Sequence, residues 1–285
     1  MMTTYNYKLF RAIVMFSGVF VIGIALFIFG YIFLMGIQSI SIEFLTDRPR
    51  GLPLGTEGGV LPAIMGTIYL GALSGFIAGI VGSVTAIFLV FYCQNNFVKK
   101  AINTSTYFLA GMPSILFGLV GYAILISRFG LPRSLLVAGI TVSIMIMPYI
   151  TIRLVKVFSE DGSDILNASL CLGLSRWYVM QKLILPNYLI NIITSTALGM
   201  AYGVGAAAPV MFTGAVILAE TPSSIMSPFM SLAYHLFILV SEGISMDKAY
   251  GSALLLLLLL LVVNIICRVL ENLREGAEWR FGKGK

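Results

Sequence analysis

The chain has 285 residues, of which 59% are hydrophobic and 11% charged, and its mean hydropathy is +0.98. Soluble domains carry about a quarter charged residues, and one soluble core could not hide this much apolar surface, so the composition excludes a soluble globular protein and points to the bilayer as solvent. The net charge of +6 would suit nucleic acid in a soluble protein, but along this chain it follows membrane topology, which argues against a nucleic-acid partner.

The first apolar run covers residues 9–37. A signal-peptide core is about 7–15 residues long and ends at a small-residue cleavage site. This run is longer and lacks that site, so it reads as a retained transmembrane helix. Five further runs reach the roughly 20 residues that a spanning helix needs. They cover 64–93, 106–126, 134–152, 189–219 and 250–267, and none of these five contains Asp, Glu, Lys, Arg or His. The expectation is one transmembrane domain over 1–285 with six spans. Six spans put both termini on one face. That face would carry thirteen Lys and Arg residues against five on the other. The positive-inside rule makes the thirteen-charge face cytoplasmic, in a multi-pass cell-membrane protein, and anionic lipid is a further partner for it. Cys93, Cys171 and Cys267 fall near this reducing face, with no disulfide or metal spacing.

Span two carries Gly71, Gly75, Gly79 and Gly82, and span five carries Gly199 and Gly203. Such small-residue faces let helices approach closely, either within one subunit or at a subunit interface or pore wall. The leucine run at 254–261 reads as lipid-facing. Span three is interrupted at Gly111-Met112-Pro113-Ser114. Span five is longer than one straight helix needs and carries Gly205 and Pro209. Proline removes a backbone donor and clashes with the preceding turn, so a break near Gly205–Pro209 is expected. Irregular backbone at membrane depth is tolerated only inside protein or along a wet cavity. Pro113, Ser114, Gly205 and Pro209 are therefore candidate path and gate residues.

The loop at 160–186 is the longest polar interval between spans. Ser163 or Asp164 can cap a helix, and Asp161 and Asp164 suit its positive end. Ile165, Leu166, Leu170 and Leu172 give it an apolar face. Gly173 suits a left-handed C-cap. Ser175 can cap a second helix, from Arg176 to about Leu183, and Pro186 reads as its stop near the start of span five. Such a helix pair either docks a partner or caps the bundle's own base. Beyond span five, Met226, Phe229, Met230, Ala233, Phe237 and Val240 recur at helical spacing, which predicts a helix along the membrane surface or in the outer mouth. His235, Glu220 and Glu242 lack the paired spacing of acid–base or metal chemistry and read as solvated or interfacial, so nothing suggests an enzyme.

Several of these segments together resemble the A-type permease subunit of phosphate (Pst) importers, a family of binding-protein-dependent ABC permeases. The resemblance runs from about residue 58 to 264. Gly58-Gly59-Val60-Leu61-Pro62-Ala63-Ile64-Met65-Gly66-Thr67 is similar to that family's start of span two. Ala110-Gly111-Met112-Pro113-Ser114-Ile115-Leu116-Phe117-Gly118-Leu119 is close to its third-span signature. In the loop, Asn167, Ala168 and Ser169 stand where Glu-Ala-Ala is usual, Gly173 aligns with the loop glycine, and Ile184-Leu185-Pro186 with its ending. Pro228 to Gly243, with Tyr234-His235, also looks like this subfamily.

The resemblance implies an all-α integral membrane protein with the type I ABC importer permease fold and a cytoplasmic coupling helix between spans four and five. It implies that Asn167, Ala168, Ser169, Leu172, Gly173 and Pro186 couple to an ATPase. The chain lacks a Gly-x-x-x-x-Gly-Lys-Ser/Thr loop, so ATP and Mg would be held by a partner ATPase dimer, with no cofactor on this chain. A second permease subunit, making a heterodimer, and an external substrate-binding protein complete the expected assembly. One departure stands out. Where the family has Arg-Ala-Ile-Gly-Glu-Thr-Ala-Pro, this chain has Tyr202-Gly203-Val204-Gly205-Ala206-Ala207-Ala208-Pro209. The resemblance makes Tyr202 and Ala206, at the positions of the charged pair linked to phosphate passage, path and gate candidates, with Thr194, Ser195 and Thr213 as nearby hydroxyls that could line a neutral path. The pair itself is gone. That leaves open phosphate moved without it, another oxyanion such as molybdate, tungstate or a phosphonate, or a non-transporting scaffold or sensor.

Overall fold

The computed structural model describes residues 4–53, 55–160, 162–217 and 219–282, with side chains from 10 to 273. Asp161, expected near the positive end of the loop helix, lies outside them. Helix α1 (Thr4–Gly36) is apolar throughout, and its spanning window buries nothing within the chain. It leans on the last helix, α12 (Met246–Gly282), near its own end. There Tyr31 meets Tyr250 edge-on at 5.7 Å, and Gly36 lies against Leu254. Leu254 is consequently fully buried, so the leucine run is lipid-facing only in part. Short α2 (Ile42–Thr46) and a hairpin of β1 (Pro49–Arg50) and β2 (Glu57–Gly58) close one end of the bundle.

The centre is built by α3 (Leu61–Ile87), α6 (Leu135–Glu160) and α9 (Leu185–Val204). The glycines of α3 make this possible. A Cβ at Gly71, Gly75 or Gly79 would meet Val204, Met200 or Thr196 of α9, and one at Gly82 would meet Ile150 of α6. In turn Gly199 of α9 lies on Ile150, and Gly203 on Val142 and Ile146. Lipid offers helices no hydrophobic reason to associate, so close backbone approach supplies the packing. Both glycine stripes are thus spent inside this one chain.

The stretch expected as a single span at 106–126 is instead two helices. Helix α4 (Asn96–Ala110), capped by the Asn95 side chain, and α5 (Ser114–Gly121), prolonged by a π-helical stretch Tyr122–Arg128, meet at 101°. Pro113 precedes α5 in an extended conformation, and its ring, which lacks an amide donor and disfavours helical geometry at Met112, keeps α4 from running on into α5. Among the described residues, five helices are long and apolar enough to span, or six if this bent pair counts as one.

The stretch after span five also departs from expectation. Residues 214–217 and 219–231 form no helix, and the Val216 amide donates to the Phe229 carbonyl while the Phe229 amide donates to the Gly214 carbonyl. Phe229 and Met230 are fully buried. Helix α11 begins only at Leu232 (Leu232–Ser241), where the Ser231 side chain caps it. Pro222 and Pro228 interrupt the helical spacing read upstream. One face of this helix turns into the bundle, while Phe237 and Val240 stand exposed. Leu232, Ala233, Tyr234, Ile238 and Leu239 are buried, and α12 and α3 pack against it. His235, read as solvated, is 2% exposed and sits 3.0 Å from the Ser252 hydroxyl through Nδ1. That hydroxyl gives its one proton to the Lys248 carbonyl, so Nδ1 is the donor in the pair.

Candidate coupling surface and translocation cleft

Helix α7 (Gly162–Cys171) follows α6 directly, and its apolar side turns inward. Leu166 and Ser169 are buried, and Gly162 packs against the Phe91 ring. Gly173 then takes φ +80°, and the Leu174 amide reaches back to the Ser169 carbonyl. These two features form a left-handed cap that a side chain would strain. Ser175 accepts from the Tyr178 amide and starts α8 (Arg176–Val179).

Pro186 does not stop the chain's helix. A wider π-helical turn, Met180–Ile184, joins α8 to α9, and the 29 residues Arg176–Val204 form one continuous span. The loosened turn spreads the carbonyls that a proline ring would otherwise strike. The second knob helix and span five are therefore one lever.

The base of the knob is tied to three spans. Phe91, in the π-helical end of α3 (Phe88–Tyr92), meets Phe158 of α6 at 5.6 Å, and Phe158 meets Tyr188 of α9 edge-on at 5.3 Å. Arg176 donates to the Phe91 carbonyl at 3.0 Å and lies over the Tyr92 ring. Its tip faces away from the bundle. Leu172 is 81% exposed and Trp177 67%, and Asn167, Ala168, Gly173, Tyr178 and Pro186 are exposed as well. Ser169 is the coupling candidate that faces inward. Leu172, read as part of the apolar face that turns inward, stands outside. Trp177 and Tyr178 were not among the sequence candidates. Their signal was present, since large aromatics in a polar loop between capped helices have no core to enter. Gly173→Ala is expected to destabilise the knob by about 1 kcal/mol, read as faster hydrogen exchange in α7 and α8 with the spans unchanged.

The candidate path residues divide. Helix α9 ends at Val204, Ala206 is extended, and α10 (Ala207–Thr213) begins. The predicted break is present at Gly205–Ala206. Pro209 sits in the first turn of α10, where an amide would have no intrahelical partner. Helix α5 lies directly on this turn, for a Cβ at Gly118 would come within 2.9 Å of the Pro209 Cα and 3.0 Å of the Ala208 carbonyl. The two interrupted segments are thus brought together. A cleft of about 360 Å³ lies between them and α6, lined by Met112, Phe117, Met145, Tyr149, Arg153 and Tyr202 among others. Tyr202 is 55% exposed and stacks on Tyr149 at 6.3 Å. Gly205 and Pro113 are exposed, and Ala206 and Ser114 are half-buried. Thr194, Ser195 and Thr213 are buried away from the cleft. Arg153 and Tyr149 are cleft residues that the sequence reading did not single out.

Residues 82–275, more than half the chain, match the family described as the binding-protein-dependent transport system inner membrane component. The chain is 25% identical over 258 residues to a probable ABC transporter permease protein, YqgI, of Bacillus subtilis, covering 85% of this chain and 87% of that one. It is 26% identical over 219 residues to the phosphate transport system permease protein PstA 2 of Mycobacterium bovis, covering 76% and 72%. Its fold is like that of a chain in the inward-facing MetNI methionine ABC transporter, with a TM-score of 0.58 at 14% identity over 73% of this chain and 92% of that one. The chain therefore belongs to the binding-protein-dependent inner membrane component family, and it is a multi-pass membrane permease subunit of an ABC importer with the type I permease fold.

Proposed function

We propose that the chain moves inorganic phosphate inward by ATP-driven alternating access. The similarity to a phosphate transport permease over three quarters of the chain carries this reading. The end with the knob is cytoplasmic, in keeping with its excess of Lys and Arg. There Asn167, Ala168, Leu172, Gly173 and the aromatic pair Trp177 and Tyr178 meet a partner ATPase that holds ATP and Mg, and this chain binds no cofactor itself. Closure of the ATPase dimer pushes the knob, and the lever from Arg176 to Val204 carries that motion to the break at Gly205–Ala206. A second permease subunit supplies the facing wall of the cleft, and an external binding protein delivers the anion.

A second reading, another oxyanion, is favoured by one observation. Tyr202 stands on the cleft, at the position where the resemblance to phosphate permeases implies an arginine. The test is ATP-dependent uptake of labelled phosphate into vesicles holding this chain with its encoded neighbours, with arsenate, molybdate and tungstate as competitors. Saturable uptake blocked by arsenate alone is the expected result. Import of molybdate or tungstate without phosphate would overturn the phosphate reading.

A further inference from the structure

Arg153 is the charged side chain on the cleft wall. It sits one helical turn beyond Tyr149, which stacks on Tyr202, so two tyrosines and a guanidinium line one side of the same space. The Arg153 side chain is 34% exposed, and its Nη2 donates to Glu271 Oε1 at 2.6 Å, on a carboxylate 20% exposed. Glu271 belongs to α12 and is not part of the cleft lining. The guanidinium thus lies between a carboxylate and an anion-sized space. Its five N–H donors exceed what one carboxylate oxygen engages, and their fork matches tetrahedral oxyanions as well as carboxylates.

A strut joining α6 to α12 would need only the ion pair. The placement of Arg153 on the cleft is what such a strut leaves unexplained. The residues α6 offers to the cleft above it, Met145 and Tyr149, carry no charge. Among the described residues that line the cleft, the formal positive charge is on Arg153.

We propose that Arg153 is the anion-binding residue at the inner end of the path, and that Glu271 is its exchange partner. The oxyanion displaces Glu271 from the guanidinium, and Glu271 then reclaims it and releases the anion toward the knob end. The inference rests on the reading of the cleft as an oxyanion path. It moves the positive charge of that path from span five to the end of α6.

The test uses the assembled complex in vesicles, with whichever of phosphate, arsenate and molybdate the wild type imports. Arg153→Gln is expected to lower uptake about tenfold or more at unchanged membrane level and ATPase association. The double variant Arg153→Gln with Glu271→Gln is expected to stay equally low. Glu271→Gln alone is expected to transport but to be inhibited by about tenfold less of the anion inside the vesicle, because its guanidinium holds the anion without a competitor. Arg153→Lys keeps the charge for packing but loses the fork, and it is expected to need several-fold more internal anion for the same inhibition. Recovery of wild-type uptake in the double variant would show that the pair is a strut and overturn the proposal. So would wild-type uptake and internal inhibition in Arg153→Lys and Arg153→Gln. A wild type that imports molybdate but not phosphate overturns the phosphate reading while the variants still judge Arg153. A wild type that imports none of the three overturns both.

Discussion

A complex carrying Leu172→Ala with Trp177→Ala is expected to lose most of its bound ATPase and to import at least about tenfold more slowly, while the permease itself remains folded in the membrane. Both side chains stand at the tip of the knob, 81% and 67% exposed, so their removal opens no cavity inside the bundle. Truncating a buried tryptophan at an interface commonly costs about 2 kcal/mol or more, and each 1.4 kcal/mol is tenfold in affinity. Leu166→Ala is the contrasting case. That side chain is buried at the knob's base, and its loss costs about 2–5 kcal/mol of stability through the cavity it leaves. Co-purification of the ATPase with each variant, beside a thermal melt of the permease, separates the two effects. An unchanged ATPase yield for the double tip variant would remove this surface from the interface.

Gly118→Val is the second substitution with a large expected effect. Helix α5 touches α10 at this point, and the atoms a new side chain would meet are the Phe212 ring, which could turn, and the Pro209 Cα and Ala208 carbonyl of the backbone, which cannot. The helices must separate at the junction between the two interrupted segments. Overpacking of this kind costs about 1–3 kcal/mol, and here it also misplaces the wall that carries Phe117 into the cleft. Uptake is expected to fall about tenfold or more. Gly111→Ala is the matched control. Gly111 sits in right-handed helical geometry with φ −87°, and a Cβ there would meet its neighbours at an ordinary 3.6 Å. It is expected to transport like the wild type. Equal loss in both variants would mean that the α5–α10 contact has no special place in transport.

The amino-acid sequence carried the outline of this molecule clearly in some places. Caps announce themselves locally, so Ser175 and Gly173 were legible from residue type alone. So was the break in span five, because glycine and proline act on their own backbone. The failures share one physical cause, which is that tertiary packing decides where a locally ambiguous segment goes. Pro186 reads as a stop, and a π-helical turn lets the helix run through it. Gly111–Pro113 reads as a kink within one span, yet the bend there is 101° and divides residues 106–126 into two helices. His235 looks solvated beside Glu242, but Ser252 on the following helix, packed against α11, receives it. The cleft itself was out of reach. Tyr149 and Arg153 lie on a helix with no unusual local feature, and only the fold brings them beside Tyr202.

In the proposed function, the knob is the point at which this chain meets its ATPase. A photo-reactive phenylalanine analogue placed at position 177 tests that claim most directly. In membranes holding the full complex, irradiation is expected to join the permease to the ATPase subunit, with a yield that changes when ATP is bound. Crosslinks confined to the permease's own loops would show that the knob is only a cap on its bundle and contradict the account.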